Sequence, residues 1–133
     1  PRYCVERAMR LLSRKHRKAL CGAKVLALGV AYKNDIDDCR ESPAIRVLKL
    51  LREEGAEVTY FDPWVAQYKE DGQVYYSEKE LTPELVQAAD LVIVTAGHNN
   101  VNYAMVQKNA KAVFDTKNVM RKHNAFGDNV EVL

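Results

Sequence analysis

The chain has 133 residues, a formal net charge of +2, 47% hydrophobic residues and 29% charged residues. That is enough for one compact domain with its own core, and too apolar for a disordered segment. The small net charge gives no reason to expect nucleic acid or an acidic membrane as a partner, and no run approaches the ~18 consecutive apolar residues of a membrane span.

Arg2 to Leu20 is predicted as a helix, with Val5, Ala8, Met9, Leu11 and Leu12 on one stripe and Gly22 ending it. Pro1 is followed at once by helical pattern, which suggests a cut in a longer chain or the end of an inter-domain helix. There is no apolar stretch with a small-residue cleavage site, so no signal peptide is expected. Arg14, Lys15, Arg17 and Lys18 form a basic cluster. It lacks the interleaved aromatics of a polyanion site and reads as a solvated helix face. Cys4, Cys21 and Cys39 are odd in number and show no CxxC spacing, which argues against a disulfide framework and a zinc site. A reducing cytoplasm is the natural compartment for such a chain.

Lys24 to Val30 (KVLALGV) reads as a strand buried on both faces. After a polar loop, Ser42-Pro43 opens a helix, with serine as N-cap and proline at the first helical position. Ile45, Val47, Leu48, Leu50 and Leu51 give its buried side and Gly55 its end. Glu57 to Phe61 is a second strand, closed by Asp62-Pro63. A short strand is expected near Val74 to Tyr76. Thr82-Pro83 starts a helix running to about Ala89. Leu91 to Thr95 is a buried strand, Tyr103 to Lys108 a short helix, Ala112 to Phe114 a further strand, and Val130 to Val132 a weak one. The alternation predicts an α/β, Rossmann-like, doubly wound parallel sheet preceded by part of a long helix. Its ligand would sit beyond the carboxyl ends of the strands, against the segments 31–40, 62–64, 96–100 and 115–118.

The first of these segments, within Gly29 to Pro43, carries the most chemistry. It has one glycine, so it is no GxGxxG dinucleotide fingerprint. It offers Lys33 and Arg40 close to a helix N-terminus, an arrangement that suits an anion, with Arg40 able to grip a phosphate by two parallel bonds. The residues alone leave a second reading open, in which Asp35, Asp37, Asp38 and Glu41 merely neutralise these cations on the surface. Asp62 follows the second strand, where a Rossmann acid would hold ribose; without the glycine fingerprint a turn role with Pro63 is favoured. For His98 a loop-shaping hydrogen bond is favoured over acid–base chemistry. Cys39, beside Arg40, is read as an incidental small residue and not a nucleophile. Trp64 fits packing at an inter-domain surface better than base stacking.

The string GVAYKNDIDDCRESPAIRVLKLL, from Gly29 onward, resembles the opening of the C-terminal domain of the UDP-glucose/GDP-mannose dehydrogenase family. AYK-x-DIDD-x-RESPA is nearer to members acting on UDP-N-acetylhexosamines. Gly55 to Val58 with Tyr60 to Pro63, Ala89 to Thr95 with His98, and Val113 to Asn118 resemble later family segments in order. The resemblance implies an NAD-dependent enzyme that oxidises a UDP-sugar C6 alcohol to a uronic acid through a thiol intermediate, for surface polysaccharide precursors. It implies nucleotide-sugar contacts at Tyr32, Lys33 and Lys117, the last where relatives often have arginine, and an NAD contact at Arg40. Residues 1–21 would be the end of the inter-domain helix and 22–133 the UDP-binding domain. Neither the NAD fingerprint nor the catalytic cysteine motif is in this stretch, so no catalytic or metal residue is expected here and the stretch alone is expected to be inactive. The intact enzyme is expected to be a homodimer or larger. The alternative is a non-catalytic nucleotide-binding or assembly module of the same fold.

Overall fold

The computed structural model of the protein describes residues 1–31 and 42–133. Helix α1 (Arg2–His16) buries Val5, Ala8, Leu11 and Leu12, the stripe that the periodicity predicts. It stops at His16, short of Leu20. Arg17 takes a left-handed conformation, φ 50°, and its N–H returns to the Leu12 carbonyl. The basic last turn (Arg14, Lys15, His16) complements the negative end of the helix dipole. Gly22 serves the next turn instead, where its N–H bonds to the Gly55 carbonyl at 2.9 Å.

Strand β1 (Lys24–Leu28) is buried from its second residue on. It ends before Val30, because Gly29 has φ 91°. Helix α2 (Pro43–Glu53) starts as expected: Ser42 Oγ accepts from the Ala44 N–H at 3.2 Å, and Pro43 stands where no donor is needed. Strand β2 (Glu57–Phe61) follows. Next comes an antiparallel hairpin of β3 (Gln67–Glu70) and β4 (Gln73–Tyr76), turned by Asp71-Gly72, both at positive φ. The sequence pattern shows β4 only. In β3 just Tyr68 is buried, so no alternation is visible. Tyr68 lies between Tyr60, tilted against it, and Tyr75, stacked on it, with ring centroids 5.3 Å from each, and the Arg52 guanidinium lies 3.8 Å over Tyr75, fixing the hairpin to the domain.

Helix α3 (Pro83–Ala88) is capped by Thr82, whose Oγ1 accepts from Leu85 N–H. Strand β5 (Leu91–Val94) is wholly buried. Helix α4 (Tyr103–Asn109) is capped by Asn102. Strand β6 (Val113–Asp115), helix α5 (Val119–Lys122) and strand β7 (Val130–Val132) complete the order. At four residues α5 is too short to show a helical period, and the sequence gives no sign of it.

Among the described residues five strands form one parallel sheet in the order β2-β1-β5-β6-β7. Its faces divide by strand alternation. Val25, Ala27, Leu91, Ile93 and Phe114 pack with α1 and α2. Leu26, Leu28, Val92, Val94 and Val113 pack with α3, α4 and α5. This is the doubly wound arrangement expected from the sequence. From β1 the chain runs outward to β2, then crosses to β5 and continues the other way, so the topological switch point lies between β1 and β5. Among the described residues no helix is long and apolar enough to cross a membrane.

Candidate functional site

At the switch point the segments leaving β1 and β5 meet backbone to backbone. A Cβ on Gly29 would lie 2.5 Å from the Ala96 Cβ and 2.9 Å from its carbonyl oxygen, so only glycine fits. Its φ of 91° excludes other residues independently. Thr95 is buried and its Oγ1 donates to the Gly29 and Leu28 carbonyls, closing the seam.

Asp62 joins this seam to the end of β2. Its side chain is buried and accepts five hydrogen bonds. Oδ1 takes the Trp64 N–H at 2.7 Å and the Val65 N–H at 3.2 Å, making the turn at Pro63. Oδ2 takes the Val30 N–H at 2.8 Å, the Ala31 N–H at 3.2 Å and His98 Nε2 at 3.0 Å. An ionised carboxylate only accepts, so the His98 Nε2–H is the donor. Burial works to raise the Asp62 carboxyl, but the bonds from His98, Val30 and Trp64 outweigh it and hold it below the usual carboxylate range. His98 is itself fully buried, and its carbonyl accepts the Tyr103 hydroxyl at 2.6 Å. One carboxylate thus ties together three post-strand segments.

Ala31 is held from both sides. Its N–H goes to Asp62, and its carbonyl accepts from Ser42 Oγ at 3.3 Å. Two neighbours of the sheet order away from β1, buried Asp115 holds the segment after β6: it accepts from the Lys117 N–H at 3.0 Å and the Met120 N–H at 2.8 Å. Thr116 Oγ1 donates to the Val94 carbonyl. Asn118, at φ 55°, turns the chain into α5 and leaves the Lys117 side chain exposed on the same carboxyl-end rim. Beyond β2 an open groove of about 680 Å³ is lined by Asp62, Trp64, Tyr76 and Lys79, among others, with Trp64 and Tyr76 exposed.

Residues 26–122 match the sequence profile of the UDP-binding domain of the UDP-glucose/GDP-mannose dehydrogenase family. The chain belongs to that family. It is 34% identical over 108 residues to a UDP-N-acetyl-D-mannosamine dehydrogenase of Methanocaldococcus jannaschii, covering 74% of this chain and 23% of the relative. A solved NDP-N-acetyl-D-galactosaminuronic acid dehydrogenase of Methanosarcina mazei superposes with a TM-score of 0.80 at 26% identity, over 100% of this chain and 28% of that one. The UDP-N-acetyl-mannosamine dehydrogenase of Staphylococcus aureus gives 0.70 at 31% identity, over 99% and 29%. The chain spans about a quarter of the length of the relatives it matches.

Of the residues singled out in the sequence, Tyr32, Lys33, Cys39 and Arg40 lie outside the described residues, and Lys117 is on the rim. Asp62 makes the expected turn and His98 the expected loop-shaping bond, but sequence reasoning missed that they bond to each other. Both follow strands, which was the available signal. That their strands flank β1 on either side is a property of the topology. In a dinucleotide-binding domain of this family's dehydrogenase kind, N–H groups just after the first strand would cradle a pyrophosphate. Here those of Val30 and Ala31 are spent on Asp62, so the described residues do not fit an NAD cradle.

Proposed function

We propose that the chain is the nucleotide-sugar-binding domain of a full-length NAD-dependent dehydrogenase that oxidises the C6 alcohol of a UDP-N-acetylhexosamine to the uronic acid. The observation that carries the reading is the family match over residues 26–122. In this reading Tyr32, Lys33 and Lys117 contact the nucleotide sugar and Arg40 reaches NAD, whose own domain lies elsewhere in the full-length protein. Residues 22–133 form the binding domain. Residues 1–21 are the end of an inter-domain helix, docked by Val5, Ala8, Leu11 and Leu12. The intact enzyme is a homodimer or larger. Lysine at 117 keeps the charge of an arginine but offers a point contact in place of a planar fork.

The test is turnover. The full-length protein should reduce NAD with UDP-N-acetylmannosamine or another UDP-N-acetylhexosamine, and residues 1–133 alone should not. Lys33→Ala should mainly weaken use of the nucleotide sugar, and Arg40→Ala mainly use of NAD. UDP binding without NAD reduction by the full-length protein would favour a non-catalytic module. Unchanged kinetics in both variants would overturn the residue roles.

A further inference from the structure

We infer that Asp62 and His98 form a positioning pair for nucleotide-sugar binding, acting through the backbone and not through the ligand. The inference rests on the function proposed above. Direct contact is excluded by saturation. A carboxylate has about four lone-pair sites, and Asp62 already accepts five donors while almost fully buried. A mere turn cap is too small a role. The turn at Pro63 needs Oδ1 alone, through Trp64 and Val65. Oδ2 is spent on other parts of the chain, namely the two amides that end at Ala31 and the imidazole that follows β5.

The geometry shows what this second oxygen controls. The chain enters the 32–41 segment at Ala31 and returns at Ser42, and those two residues bond to each other. Ala31 therefore links Ser42, at the start of α2, to Asp62, at the end of β2. Asp62 sets its height above β1, and His98 sets the angle of Asp62. The Tyr103 bond to the His98 carbonyl ties that setting to the start of α4. The pair thus fixes the backbone that leaves β1, β2 and β5 at the switch-point rim, where a ligand of such a sheet binds.

The experiment uses the full-length enzyme. Asp62→Asn puts an amide group where two backbone N–H groups and an imidazole now find one acceptor. We expect KM for the nucleotide sugar and for NAD to rise together, each about tenfold, with kcat at saturation within about threefold, as expected when one buried acceptor is lost. The Kd for UDP should rise in parallel. A purely structural role would lower the yield of folded enzyme and leave KM alone. His98→Leu should repeat the effect more weakly, and His98→Gln, which keeps a donor near the Nε2 position, should restore KM. If Asp62→Asn does not fold, His98→Leu against His98→Gln decides the same question. Asp90→Asn, on the opposite rim, should leave both KM values unchanged. Wild-type KM in a folded Asp62→Asn or His98→Leu enzyme overturns the positioning pair while leaving the proposed function standing. A wild-type enzyme that neither turns over nor binds UDP overturns both.

Discussion

Asp62 and Asp90 hold opposite ends of the same sheet, and they do it by different physics. Asp62, at the carboxyl end, is enclosed and, among the described residues, receives backbone amides and one buried imidazole. Asp90, at the amino end, takes the Lys24 N–H at 2.8 Å and the Lys18 ammonium at 3.0 Å, with Lys111 at 4.0 Å. Those lysine side chains are about half exposed. Mobile surface lysines can be replaced by water; fixed amides in a dry site cannot. Both ends fix backbone, but only the carboxyl end does so with a fully enclosed side chain.

The contrast can be broken most forcefully at Asp62. Asp62→Ala strands several buried donors and should cost about 3 kcal/mol or more, whereas Asp90→Ala should cost about 1 kcal/mol, both measured by urea unfolding. Comparable losses would show that burial does not separate the two. Next in size is Gly29→Ala. It combines a positive φ with a clash against Ala96 and should cost about 2–3 kcal/mol. A fully stable variant would mean that the seam between β1 and β5 is looser than described.

The smallest effects lie in salt and acid. Burial tends to raise the Asp90 carboxyl, but the Lys24 N–H and Lys18 overcome it, so Asp90, like Asp62, stays below the usual range. A depressed carboxylate gives stability that is complete above its unfolded value, near 3.9, and is lost as pH falls through the lower folded value. Both should therefore steepen acid unfolding below about pH 4. Only the part of the Asp90 share that comes from Lys18 and Lys111 should fade in about 1 M salt, where the Debye length is near 3 Å. Comparing Asp62→Asn and Asp90→Asn across pH at two salt concentrations separates the shares. Equal salt sensitivity would refute the distinction.

Much of this fold was legible because its signals are local. Ser42-Pro43 and Thr82-Pro83 announce α2 and α3, and the apolar runs at Lys24, Glu57 and Leu91 locate β1, β2 and β5. What stayed hidden depends on tertiary partners. Strand β3 shows one buried residue, Tyr68, which packs against Tyr60 and Tyr75, both outside the strand. The end of α1 depends on Arg17, a residue with no composition signal for the left-handed turn. At the candidate site Lys117 is exposed on the rim, while Tyr32, Lys33 and Arg40 lie outside the described residues. The Asp62–His98 bond was not readable, because a period of two assigns faces to a strand and says nothing about which strands are neighbours.

The junction of Ala31 with Ser42 has a consequence for sequence change. Ser42 Oγ accepts from the Ala44 N–H and donates to the Ala31 carbonyl, so one hydroxyl joins the exit of β1 to the start of α2. Changing Ser42 to alanine would therefore remove a helix cap and a strand-to-helix tie in one step, a double loss that neither element shows by itself.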